Sequence, residues 1–227
     1  MLIYAKQPIY YLIQNYPNKI KTLYLAKELE KKEYSRLMKM NFEIKRIPNE
    51  AAQKMTKNAN HQGFLAEIED YELSDYKSFL DKEFVLVLSN LTDIGNIGAL
   101  VRSAYALGVD GIVVCGIRNL TVEGVIRTST GALFDMPLAL EHNIHDVLND
   151  LKMSGFRSYG ADMGGSDIRD AKITQKRVLV MGSEGDGLSS RVLSKIDEVV
   201  SIKMSHEFDS LNVSVAGAIL MDRMRYE

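Results

Sequence analysis

Two stretches, FVLVLSN (84–90) and GIVVCG (111–116), are apolar at nearly every position. A strand with one face in water alternates polar and apolar residues. A strand apolar on both faces belongs in a parallel sheet covered by helices on both sides. Between the two runs, Asn96 is placed to cap a helix through Leu100, Arg102, Ala104 and Leu107, stopped by Gly108. Strand, helix and strand form a β-α-β unit. That unit sets the fold class as α/β with a mostly parallel sheet and flanking helices. Further strands are predicted at 157–161, 178–181 and 198–202, and an amphipathic helix over 213–225. A chain of 227 residues, 46% of them hydrophobic, can bury enough surface to fold without disulfides or metal. Its single cysteine, Cys115, lies inside an apolar strand and reads as core.

The first part of the chain has its own pattern. KTLYLA, FEIKRI and FLAEI read as strands, and PIYYLIQNY and ELEKKEYSRLMKM as helices. Asn49 is the expected N-cap of a helix through Ala52 and Met55. Residues 1–70 thus form a small α/β unit, 71–82 a polar linker, and 83–227 a larger unit. Charge divides along the same line. Residues 1–60 hold twelve Lys/Arg against five Asp/Glu, whereas the remainder is acidic by nine. A basic module on an acidic one points to a polyanionic partner. Lys19, Lys21, Lys27, Lys31, Lys32, Arg36, Lys39, Lys45 and Arg46 are its candidate phosphate contacts.

Several function classes are excluded by missing motifs. There is no GxxxxGK[ST], no GxGxxG after a strand and no GxSxG elbow. His142 and His145 lack partners at metal-ligand spacing, so no metal is expected, and His206 has no assigned role. No apolar run approaches the roughly 20 residues of a membrane span. The N-terminus lacks the basic start and cleavage site of a secretory signal, so a cytoplasmic location is expected.

Three strand-to-helix junctions remain. LTDIGNIGALVRSAYALG (91–108) places Gly95, Asn96, Gly98 and Arg102 at a helix start. VLVMGSEGDGLS (178–189) puts three glycines directly after a buried strand, with Glu184 among them. SIKMSHEFDSLNVSVAGAIL (201–220) crowds Ser210, Asn212 and Ser214 at a helix start, where capping needs one. Their order and spacing, N-x-G-x-x-x-R-x-A, G-S-E-G-x-G-L, then I-x-M with S-L-N-V-S-V-A, resemble the three motifs of the SpoU (TrmH) family of RNA ribose 2′-O-methyltransferases. HQGFLA (61–66) resembles the element ending the N-terminal substrate-binding domain of its ribosomal-RNA branch, closest to the guanosine 2′-O-methyltransferases of large-subunit RNA.

The resemblance implies the SPOUT fold, a mostly parallel sheet with a C-terminal trefoil knot, and a small ribosomal-protein-like RNA-binding domain before it. It implies a homodimer and S-adenosyl-L-methionine as cofactor. Its catalytic positions map to Arg102, Asn96, Glu184, Ser210 and Asn212. The cofactor-binding positions map to Gly182, Ile202, Met204, Leu211 and Ser214. The matched arginine would activate the 2′-hydroxyl. An arginine rarely gives up its proton, so Arg102 is either an unusual base or an anchor for phosphate and developing alkoxide. Two departures stand out. Ile94-Gly95 replaces a frequent proline after Asp93, and Lys203 replaces the proline of I-P-M. Lys203 keeps an N–H that proline lacks, which loosens the turn. The implied substrate is RNA, ribosomal first and transfer RNA as the alternative. A non-catalytic RNA-binding assembly factor is a second reading, and a nucleotide enzyme using the 182–187 loop for phosphate a third.

Overall fold

A computed structural model describes residues 1–206 and 210–225. The N-terminal unit runs β1 (Leu2–Tyr4), α1 (Lys6–Asn15), β2 (Ile20–Leu25), α2 (Lys31–Leu37), β3 (Glu43–Arg46), α3 (Asn49–Met55) and β4 (Phe64–Ile68). Its sheet order is β1-β4-β2-β3, with β2 and β3 parallel and the other pairs antiparallel. Helix α1 buries Ile9, Leu12 and Ile13, a stripe at helical spacing. It ends before Pro17, whose ring disfavours helical backbone at Tyr16. The HQG element is a turn that feeds β4. Gln62 and Gly63 both have positive φ, of 55° and 83°. The Gly63 amide donates to His61 Nδ1 at 3.0 Å, and Gln62 Oε1 accepts the Lys6 amide at the start of α1.

Three expectations for this unit change. The helix expected over 28–40 spans only Lys31–Leu37. Asn49 is the first residue of α3 rather than its cap; Pro48, extended at φ −62° and ψ 150°, holds the cap position without a side-chain bond. Strand β1 was not expected, because three residues are too few to show alternation and its pairing with β4 creates it.

The C-terminal unit runs β5 (Phe84–Ser89), α4 (Ile94–Ala106), β6 (Gly111–Cys115), α5 (Val122–Thr128), β7 (Leu138–Glu141), α6 (Ile144–Met153), β8 (Arg157–Asp167), β9 (Arg177–Met181), α7 (Ser190–Leu193), β10 (Glu198–Ser201) and α8 (Val213–Arg223). Every strand pair is parallel, in the order β10-β8-β9-β5-β6-β7. The apolar strands face two cores in alternation. Phe84, Leu86 and Leu88 share a core with Leu100, Val101, Ile126 and Leu220, carried by α4, α5 and α8. Val85 and Val87 share the other with Val147, Leu151 and Val192 of α6 and α7. Residues 71–82 do more than connect. Tyr76 and Phe79 are buried in the second core, and Gly111 leaves room for the Phe79 ring, 2.8 Å from where a Cβ would stand. Among the described residues no helix is long and apolar enough to cross a membrane.

Glycines set how closely α4 meets its neighbours. A Cβ on Gly98 would stand 1.9 Å from Thr128 Oγ1 of α5, and one on Gly217 of α8 would stand 2.3 Å from Leu100 Cδ2. These contacts aim the start of α4 and the start of α8 at the same end of the sheet.

Candidate active site at the carboxyl ends of the strands

All three singled-out junctions follow the carboxyl ends of parallel strands in one sheet, β5, β9 and β10, which is where open α/β sheets bind ligands. The cap of α4 corrects one expectation. Asp93, not Asn96, caps the helix, its Oδ1 accepting the Asn96 amide at 2.7 Å. Asp93→Ala is therefore expected to lower stability by about 1 kcal/mol, read from a denaturant midpoint. Because Asp93 does the capping, the Asn96 side chain is available for other bonds.

That side chain lies between two partners far away in sequence. Asn96 Nδ2 donates to Glu184 Oε1, and Asn96 Oδ1 accepts Asn212 Nδ2 at 3.0 Å. Asn212 Oδ1 in turn accepts the Ser214 amide at 2.9 Å, the Ser214 hydroxyl at 2.6 Å and the Val215 amide at 3.3 Å, capping α8. The direction of the chain is determined at both ends. A carboxylate only accepts and helix-start amides only donate, so each amide between them has one workable orientation. Ser214 supports the cap of α8, which accounts for one of the three crowded polar residues.

Glu184 is presented by a loop folded back on itself. Ser183 and Gly187 exchange two backbone hydrogen bonds of 3.2 Å, and Gly185 and Gly187 take φ of 88° and 65°. Gly182 is buried where a Cβ would stand 2.1 Å from the Gly187 carbonyl carbon. Arg102 lies on the exposed side of α4 and makes no hydrogen bond or ion pair among the described residues. Ser210 is likewise exposed and unbonded among them. The structure thus joins Asn96, Glu184 and Asn212 in one network and leaves Arg102 and Ser210 outside it. Asp93 and the backbone exchange between Ser183 and Gly187 are the site features not anticipated. An acidic residue three before Asn96 was the available signal for the first.

Four of the five proposed cofactor positions share a property. The main-chain groups of Gly182, Ile202, Met204 and Leu211 make no hydrogen bond among the described residues, whereas the Ser214 amide donates to Asn212 Oδ1. Unpaired backbone groups in partly buried positions are uncommon unless a ligand takes them. The side chains of Ile202, Met204 and Leu211 are half-buried and apolar. Free amides and carbonyls beside apolar cover suit an adenosine, whose ring edge is polar and whose faces are not. No group of three or more His, Cys, Asp or Glu among the described residues has metal-binding geometry.

Open main-chain groups beside a directed polar network at the strand ends are the arrangement of an α/β enzyme site. The sequence profile of the SpoU rRNA methylase family matches residues 83–222, and that of RNA 2′-O ribose methyltransferase substrate binding matches residues 2–74. A relative in Staphylococcus aureus, described as a TrmH family tRNA/rRNA methyltransferase, is 35% identical over 72% of this chain and 70% of its own. The solved SpoU methyltransferase AviRb from Streptomyces viridochromogenes, in complex with AdoMet, is 26% identical. It superposes with a TM-score of 0.81 over 99% of this chain and 88% of its own. The TrmH/SpoU tRNA-modifying enzyme of A. aeolicus, 26% identical, superposes with a TM-score of 0.56 over 63% of this chain and 74% of its own. The chain belongs to the SpoU family and is an RNA methyltransferase.

Proposed function

We propose that this enzyme methylates the ribose 2′-hydroxyl of a guanosine in large-subunit ribosomal RNA, working as a homodimer with the knotted C-terminal fold of its family. The N-terminal unit carries the ribosomal part of this reading. It matches a substrate-binding profile and holds the chain's excess positive charge, and the likeness to the A. aeolicus tRNA enzyme spans only 63% of the chain. It joins the larger unit through residues 71–82.

The cofactor is S-adenosyl-L-methionine, which AviRb also binds. When bound it would supply an electrophilic methyl group on a sulfonium, and the 2′-hydroxyl would hand its proton to the RNA phosphate or to solvent. Gly182, Ile202, Met204 and Leu211 hold the adenosyl part through backbone groups and apolar cover, with Ser214 acting through the cap of α8. Arg102 places a permanent positive charge beside the reacting oxygen. While charged it anchors a phosphate or steadies the forming alkoxide; to act as the base it must first give up its own proton in a desolvated complex. Glu184 and Asn212 hold the Asn96 amide in one orientation toward the substrate. Ser210 contributes its free hydroxyl to the ribose.

RNA backbone lies along α2. Lys31, Lys32, Ser35, Arg36 and Lys39 share one exposed face of α2 and the residues just past its end, and none of these cations is ion-paired among the described residues. The nearby Glu33 carboxylate is engaged by the Tyr10 hydroxyl instead. Charge reversal at Lys31, Arg36 and Lys39 together is expected to weaken ribosomal RNA binding. It should also flatten the slope of log affinity against log salt by about 2 to 3. AdoMet affinity should stay unchanged, as read by calorimetry.

Labelled AdoMet, offered with unmodified ribosomal and transfer RNA separately, tests the assignment. Label recovered as 2′-O-methylguanosine from ribosomal RNA is the expected result. Label on transfer RNA overturns the reading of the N-terminal unit. Cofactor binding without label on either RNA favours a non-catalytic assembly factor.

A further inference from the structure

The two units meet at a cluster of tyrosines that the reaction does not use. Tyr11 of α1 and Tyr16, which follows that helix, both donate their hydroxyls to the Asp135 carboxylate of the larger unit. The Tyr11 hydroxyl is also 3.5 Å from that of Tyr105. Tyr105 follows Arg102 by three residues on α4, so the two side chains emerge on the same side of that helix, one turn apart.

The loop carrying Asp135 is shaped for this contact. Gly131 takes φ 97°, and a Cβ there would stand 2.7 Å from Tyr11 Cβ. Around the cluster, Arg127 of α5 lies over the Tyr4 ring at 5.3 Å, and the Tyr71 hydroxyl donates to the Met136 carbonyl at 3.4 Å. Burial and the Asp135 bond push the Tyr11 phenol up; the same bond, then burial, raises Tyr16. Both hydroxyls therefore keep the protons they donate at neutral pH.

We propose that Tyr11, Tyr16 and Asp135 form a latch that holds the RNA-binding unit at a set angle to α4, so that RNA gripped by the first unit meets Arg102 in register. Asp135 is then a positioning residue that acts through Arg102 and touches no substrate. The contact is directional: one carboxylate, two donors from one helix end, and a helix that bears the reacting arginine. A buried apolar core shared by the two units surrounds it, but apolar contacts carry no direction, whereas two charge-assisted hydrogen bonds to one carboxylate do. This inference rests on the RNA methyltransferase reading.

The test uses Asp135→Asn and, separately, the double variant Tyr11→Phe/Tyr16→Phe in the full chain. Both are expected to lower kcat on ribosomal RNA by about tenfold through misplacement of the substrate. KM for RNA and AdoMet affinity should hold, and Asp135→Glu should recover part of the rate. Spin labels on Met38→Cys and Met153→Cys, both exposed, should show a broadened inter-unit distance in both variants; the native Cys115 is buried and does not label. Wild-type kcat in the variants overturns the proposal, as does a narrow distance distribution. Loss of RNA affinity with kcat intact overturns it too, by making the tyrosines RNA contacts. Should Asp135→Asn fail to fold, the tyrosine pair, which leaves the carboxylate to solvent, gives the same reading. If the wild-type enzyme methylates no ribosomal RNA, the substrate assignment fails, and the distance measurement still decides the latch.

Discussion

Arg102→Ala is expected to lower methyl transfer by about 10³-fold while leaving AdoMet affinity within about twofold of wild type. The side chain stands on the exposed side of α4 without a protein partner among the described residues. Removing it therefore breaks no packing and no hydrogen bond, and stability should barely change. The loss should appear in single-turnover rate at saturating RNA, with cofactor binding read separately by calorimetry. Arg102→Lys separates the two chemical roles. Lysine keeps the charge but loses the planar fork that grips a phosphate. If Arg102 anchors phosphate through that fork, lysine rescues little. If it only steadies negative charge on O2′, lysine recovers a substantial part of the rate. A fall in AdoMet affinity that matched the fall in rate would place Arg102 in the cofactor site and contradict its assignment.

Gly182→Ala is expected to do the reverse and act on the cofactor. The new methyl would stand 2.1 Å from the Gly187 carbonyl carbon, 2.2 Å from its oxygen and 2.6 Å from the Leu188 nitrogen. All three are backbone atoms, so no side chain can swing aside. The turn between Ser183 and Gly187 must open, and its two 3.2 Å hydrogen bonds are lost or lengthened. Overpacking of this kind costs about 1–3 kcal/mol, or roughly 5- to 150-fold in affinity if the cost falls on the bound state. Methyl transfer should fall with it, because Glu184 hangs from the same turn and would no longer hold Asn96. Gly185→Ala is the informative companion. Its Cβ position is open, so any effect there comes from its φ of 88° alone. Unchanged cofactor affinity in Gly182→Ala would mean that the cofactor does not use this turn.

Much of the architecture could be read from local pattern. The runs at 84–90 and 111–116 are β5 and β6 in the structure, adjacent and parallel. The strands expected at 178–181 and 198–202 are β9 and β10 within a residue or so. Burial on both faces leaves an unbroken apolar run, which needs no tertiary information to recognise. Strand β7 escaped because Leu138–Glu141 is short and ends in a charge. Strand β8 proved longer than its apolar part, since residues through Asp167 are carried by pairing with β10 across a register shift.

The candidate residues were legible as motifs, but how they are arranged was not. Asn96, Glu184 and Asn212 could be picked out by motif, yet which amide faced which carboxylate depended on loops brought together from 88 and 116 residues away. Asn96 looked like a cap because it is a good capping residue near a helix start; Asp93 is three positions earlier and takes the role. The Tyr11, Tyr16 and Asp135 cluster carried no signal at all, its partners being 124 and 119 residues apart.

The sequence by itself thus determined most of the central strands, the parallel class of the sheet and the family chemistry, because burial periodicity and loop composition are local properties of the chain. Only the tertiary structure decided which polar groups pair, which cap which helix, and that Tyr11 and Tyr16 meet Asp135. Hydrogen-bond partners are chosen by distance and direction in space, and close approaches such as Gly98 on Thr128 or Gly217 on Leu100 set those distances.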